Sequence, residues 1–93
     1  MTIFNDPAIR QAQVAMARWI AQRMTEKGYE TSKVTKAAES GDWAELNLAM
    51  MEVFAMPMSN EAKAVEACLD EYGNLTDKEI EDVIQRYSHD FLN

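Results

Sequence analysis

The sequence predicts an all-α fold, a compact bundle of about five helices, and three observations carry that expectation. Apolar residues recur at three- and four-residue spacings along nearly the whole chain. Helix caps and stops punctuate it at Asp6-Pro7, Gly28, Gly41-Asp42, Pro57 and Thr76-x-x-Glu79. No stretch shows the alternation and β-branched enrichment of a strand. At 93 residues, with 47% apolar residues, three Gly and two Pro, the chain reads as one globular domain, residues 1–93, with a modest core.

Behind Ile3 and Phe4, Asp6 can accept from free backbone amides, and Pro7 sits where a missing amide costs nothing, so a long first helix begins here. Ile9, Ala12, Met16, Trp19, Ile20 and Met24 mark its broad apolar face, with Gln11, Arg18 and Gln22 opposite. Gly28 supplies the left-handed residue that ends it after Lys27. Thr31 or Ser32 then caps a short helix that buries Val34, Ala37 and Ala38, turns Lys33 and Lys36 to solvent and stops at Gly41. Too short to stand alone in water, it must be held by packing.

Asp42 and Glu45 form an acidic capping box for the next helix, Asp42 to Met56, which Pro57 terminates. Trp43, Leu46, Ala49, Met50, Val53 and Phe54 share one side of it, while Leu48, Met51 and Ala55 lie on the other. A helix apolar nearly all round wants neighbours on more than one face. It is expected either at the centre of the bundle or with one face in the core and the other against a partner.

Ser59 or Asn60 opens a fourth helix with Ala62, Val65, Leu69 and Tyr72 as its buried stripe, Cys68 on the flank and Gly73 at its close. Thr76 and Glu79 make a full capping box, with Leu75 placed to staple onto Ile80. The fifth helix is expected to bury Ile80, Val83, Ile84, Tyr87 and Phe91 and to end near Leu92. The first and third helices should pack together, with both Trp19 and Trp43 largely buried, and the acidic fourth and fifth helices should form one side.

The segment Ala37 to Ala49, with its Gly-Asp turn, is similar to one unit of a helical repeat protein. A solenoid needs several stacked copies and no second copy is present, so a single helical hairpin is the expectation.

The net charge of -7 is unevenly spread. Residues 1–38 hold six Lys or Arg against three acids, and residues 39–93 hold three against thirteen, about +3 and -10. An acidic C-terminal half disfavours phosphates and favours a basic protein surface. A single cysteine excludes an intramolecular disulfide or a Cys-rich zinc site and suits a reducing compartment. With no apolar run near the length that spans a bilayer and no basic-then-apolar leader, the expectation is a cytoplasmic protein without a membrane segment.

Catalytic and metal motifs fail on chemistry. Cys68 to Glu79 places Asp70, Gly73, Leu75, Thr76 and Glu79 in the register of a calcium loop, but Cys68 and Tyr72 stand where oxygen ligands are required. Ser88, His89 and Asp90 are adjacent, so their side chains point roughly 100° apart on a helix and cannot converge on one atom. Glu66, Asp70 and Glu71 around Cys68 discourage a thiolate. The acids of the last two helices lack the Glu-x-x-His spacing of di-iron bundles. A helix-turn-helix reading of the second and third helices puts Glu45 and Glu52, with no Lys or Arg, on the recognition helix. No enzyme, cofactor or metal is therefore expected, and direct nucleic-acid binding is disfavoured.

Met50, Met51, Met56 and Met58 cluster near the end of the third helix. Core gap-filling is the first explanation, and an adaptable binding surface the second. Together these features lead to a non-enzymatic, acidic protein-binding module, an inhibitor, anti-repressor or adaptor. Its partner would be a protein with a basic surface, such as a nucleic-acid-binding protein. Leu48, Met51 and Ala55 would supply the apolar contact, and Asp70, Glu71, Glu81 and Asp82 the charge. Small acidic inhibitors of phages and other mobile elements have this general character. The alternatives are an assembly protein that forms a homodimer or larger oligomer through the third helix, and a small DNA-associated regulator using the basic first helix.

Overall fold

The computed structural model describes residues 6–29 and 32–88, and among these it contains helices and no strand. The five helices are α1 (Pro7–Glu26), α2 (Lys33–Ser40), α3 (Trp43–Phe54), α4 (Asn60–Gly73) and α5 (Asp77–Tyr87). The all-α bundle is as the sequence predicts. The positions proposed for Ile3, Phe4, Thr31, His89, Asp90, Phe91 and Leu92 lie outside the described residues.

Local capping chemistry explains the boundaries. Asp6 accepts from the Ala8 amide, Ser32 from Thr35, Asp42 from Ala44 and Glu45, and Ser59 from Ala62. At the end of α1, Gly28 at φ 93 lets its amide reach the Thr25 carbonyl and the Tyr29 amide reach Met24. This is a Schellman stop. α3 ends at Phe54, two residues short of the predicted Met56, as the chain turns into Pro57.

The Thr76 box is reciprocal, since Thr76 Oγ1 accepts from the Glu79 amide and Glu79 Oε1 accepts from the Thr76 amide. That bond favours the ionised carboxylate, and the Glu79 pKa is lowered. A depressed carboxylate adds its stabilisation above its unfolded-state value and loses it as pH falls through the folded one. The Glu79 side-chain resonance should therefore titrate below that of a free glutamate; a midpoint at the free-glutamate value would show the box open in solution.

The hub of the bundle is α1, not α3. α1 packs on each of the other four helices, whereas α3 meets α2, α1 and, more lightly, α4. The reason is the distribution of apolar residues around α1. Val14, Ala17 and Ala21 join Ala37, Ala38, Leu46 and Ala49 in one core, while Ile20 and Met24 join Val34, Val53, Ala62, Val65 and Cys68 in another. The small residues of the first core let α1, α2 and α3 approach closely, and the larger side chains of the second fill the gap under α4.

Several sequence expectations are corrected. Arg18 and Gln11 do not point to solvent: Arg18 Nε donates to the Ala38 carbonyl at 2.9 Å and Nη1 to Tyr87 at 2.7 Å, while Gln11 donates to Ser88 Oγ. Arg18 thereby caps the C-terminal ends of α2 and α5 together, where a cation also complements the helix dipoles. Leu69 and Tyr72, placed on the buried stripe of α4, are only half-buried, while Cys68 on the flank of that stripe is fully buried. α5 ends at Tyr87 and fully buries only Val83 among its own residues.

Trp19 and Trp43 are half-buried, because each covers the edge of a core while a polar neighbour takes its outer side. Trp19 lies under the Arg23 guanidinium and edge-on to Tyr72, and Trp43 lies under Arg10 with its indole N–H donated to Gln13.

α4 and α5 do not form one packed side. They are joined by a short turn but each packs mainly on α1. Among the described residues, no helix is long and apolar enough to cross a membrane.

Candidate functional site

Rotation around α3 sorts its residues sharply. Leu46, Ala49 and Val53 enter the core, with Trp43 and Met50 half-buried beside them. Ala44, Leu48, Met51 and Ala55, spaced four, three and four apart, form a stripe on the opposite side, and all are exposed. Of the two placements open to α3, the one with a core face and a free face is observed.

The free face is larger than the sequence suggests. Leu48 is 57% exposed, Met51 68%, Phe54 40%, Met56 67% and Met58 79%. Phe54 is thus not on the core side; at 100° per residue it lies next to Met51 and away from Val53. Of the clustered methionines only Met50 fills a core gap, packing against both clusters. For Met56 and Met58 the signal was present in the sequence, since Pro57 breaks the chain between them and leaves no helical register to bury them.

Charged residues border this face on one flank. Glu45 and Glu52 are exposed beside Leu48, and Lys33 of α2 pairs with Glu52 at 2.9 Å. That contact raises the Lys33 pKa, chiefly through the Glu52 hydrogen bond. Glu61 of α4 accepts from the Lys33 amide at 3.2 Å. A shallow groove between α2 and α3 runs along this edge, and a second, more apolar one lies between α1 and α3 over Met16, Ala17, Leu46 and Met50.

Asp70, Glu71, Glu81 and Asp82 are all exposed, but they are not brought next to the α3 face. Around α1, Gln13 and Ala17 face α3, whereas Gln11 and Arg18 meet the end of α5. Residues 11 and 13 are about 200° apart on a helix, so α1 stands between α3 and α5. Glu71 instead approaches Arg23 Nε at 4.0 Å, and Asp82 lines a groove with Trp19, Arg23 and Arg86. Glu71 and Asp82 therefore lie on the Arg23 side of the molecule, and the three apolar candidates on the outer side of α3.

Cys68 is inaccessible, and its thiol pKa is pushed up, first by burial; Lys27, whose Nζ lies 3.9 Å from Sγ, opposes the shift. Among the described residues no group of three or more His, Cys, Asp or Glu side chains converges as a metal site. Comparison of the chain with protein-family models, curated proteins and solved structures returns no match.

Proposed function

We propose that the protein is a non-enzymatic protein-binding module that docks through the outer face of α3 and the turn into α4. The observation that carries this reading is the concentration of Leu48, Met51, Phe54, Met56 and Met58, five large apolar side chains exposed within one short stretch. Burying such side chains individually stabilises by roughly 1.5–3 kcal/mol, and the core has no room for them because Leu46, Ala49 and Val53 already fill it. The partner is a protein with a basic surface, which Asp70, Glu71, Glu81 and Asp82 attract over long range. An inhibitor, anti-repressor or adaptor acts in this way, by occupying a surface without transforming it.

Affinity capture from the native host identifies the partner, and the two groups of residues then separate kinetically. Reversing the four acids to Lys should slow association by about tenfold at low salt and flatten its salt dependence. Changing Leu48 and Met51 to Gln should leave association nearly unchanged and speed dissociation by about tenfold or more. Unaltered dissociation from a folded Leu48→Gln, Met51→Gln variant would remove the α3 face from the binding reaction.

A further inference from the structure

We infer that, when no other partner covers it, the outer face of α3 is occupied by a second copy of this chain, with the two α3 helices antiparallel across a two-fold axis. The inference rests on the reading of this face as a docking surface and assigns it an occupant.

Three observations support self-association. First, the exposed stripe is palindromic in size: Ala44 and Ala55 lie equally far from its midpoint, as do Leu48 and Met51. Antiparallel pairing about a two-fold axis therefore sets Leu48 against Met51 of the second copy and Ala44 against its Ala55, large residues meeting at the centre and small ones at both ends. Alanine at the ends permits the close helix approach that such pairing requires.

Second, the charged edge is balanced. Lys33 and Lys36 stand beside Glu45 and Glu52, so two copies bring neutral edges together although each chain carries a net charge of -7. The unbalanced acids Asp70, Glu71, Glu81 and Asp82 belong to elements outside the proposed contact and would be displayed twice. Third, the five large side chains expose on the order of 600 Å² between them, and their small and polar neighbours bring the face near the ~800 Å² per partner of a stable interface.

Self-association through this face has a salt dependence opposite to that of charge-steered binding. Salt screens the repulsion between two acidic chains and leaves the apolar contact intact. Sedimentation equilibrium of the full chain from ~1 μM to ~1 mM should show the mass rising toward twice that of one chain, at lower concentration in ~0.5 M than in ~0.05 M salt. Leu48→Gln with Met51→Gln should weaken the dimer at least ~10-fold with unchanged helicity. For the geometry, Ala44→Cys and Ala55→Cys chains are mixed under mild oxidation. Antiparallel pairing brings residue 44 onto residue 55 of the other copy and holds the two copies of residue 44 about 16 Å apart along the axis.

The mixed disulfide should exceed either homodisulfide several-fold, and buried Cys68 does not compete. Homodisulfides in equal or greater yield overturn the antiparallel arrangement. A chain that stays monomeric at every concentration and salt overturns the dimer, yet leaves the docking reading standing if the Leu48 and Met51 variants still lose a captured partner.

Discussion

Replacing Ile20 with alanine is expected to destabilise the protein by about 3–4 kcal/mol, a loss measurable by urea unfolding. Ile20 is completely buried at the middle of α1 and belongs to the core that also takes Met24, Val34, Val53, Val65 and Cys68. Truncation removes its transfer free energy and leaves a cavity walled by residues from α2, α3 and α4, helices whose positions are all set by α1. They cannot collapse onto the void without moving one another. A domain of this length is worth roughly 5–10 kcal/mol in total, so the thermal midpoint should fall by about 15–25 °C. Ile20→Val, which keeps most of the volume, should cost about 1 kcal/mol. A cost below about 1.5 kcal/mol for Ile20→Ala would show that the core under α4 is loosely packed.

Arg18→Ala should be the next most damaging change, at about 2–4 kcal/mol. Its guanidinium donates to the Ala38 and Tyr87 carbonyls, each near the end of a helix; Ala38 also accepts from the Gly41 amide at 3.3 Å. Charge-assisted bonds of this kind contribute roughly 1.5–3 kcal/mol each when only part-exposed, and deletion removes both. Lysine cannot span the two with its single ammonium, so Arg18→Lys should recover less than half of the loss.

Gly41 provides an independent check. A methyl group there would lie 2.7 Å from Arg18 Nη2, on a backbone held at φ +73. Gly41→Ala should cost about 2 kcal/mol in the native background but only the backbone strain of about 1 kcal/mol when Arg18 is already Ala. Strict additivity in that double-mutant cycle would mean that Arg18 does not hold the position described.

The role of Arg18 marks the boundary of what periodicity reveals. The helices and their caps are legible because Asp6, Ser32, Asp42, Ser59 and Thr76 act on amides two or three residues away, within reach of local sequence. The buried sides of α2 and α3 are legible for the same reason, as Val34, Ala37, Ala38, Leu46, Ala49 and Val53 follow helical spacing. Arg18 is not, since its charge suggests solvent, and its acceptors lie on α2 and after a turn of sequence far downstream.

Phe54 is misplaced by the opposite error, its hydrophobicity being taken as burial. The choice of hub also required tertiary information: α3 is the more apolar helix, but α1 has the length to touch every neighbour. In the candidate site, the grouping of Leu48, Met51 and Ala55 follows from spacing along one helix. Its separation from Glu81 and Asp82 follows from which side of α1 each helix takes, and no single segment encodes that.

The attachment of α5 has a consequence for how the fold opens. Neither core cluster contains a residue of α5, and the helix is held against α1 by Val83, by half-buried side chains and by the Arg18 and Gln11 contacts at its end. Joining it to α1 closes the longest excursion of the chain, whereas α1, α2 and α3 meet through short turns. Its release therefore regains chain entropy while leaving both core clusters intact. We expect α5 to open as a separate unit, its amides exchanging with solvent while those of Val14, Ile20 and Met24 stay protected, as native-state hydrogen exchange would show. Each such opening would uncover Trp19 and strip Arg18 of its Tyr87 acceptor while both cores remain closed, giving this small protein a partly unfolded state below the barrier to global unfolding.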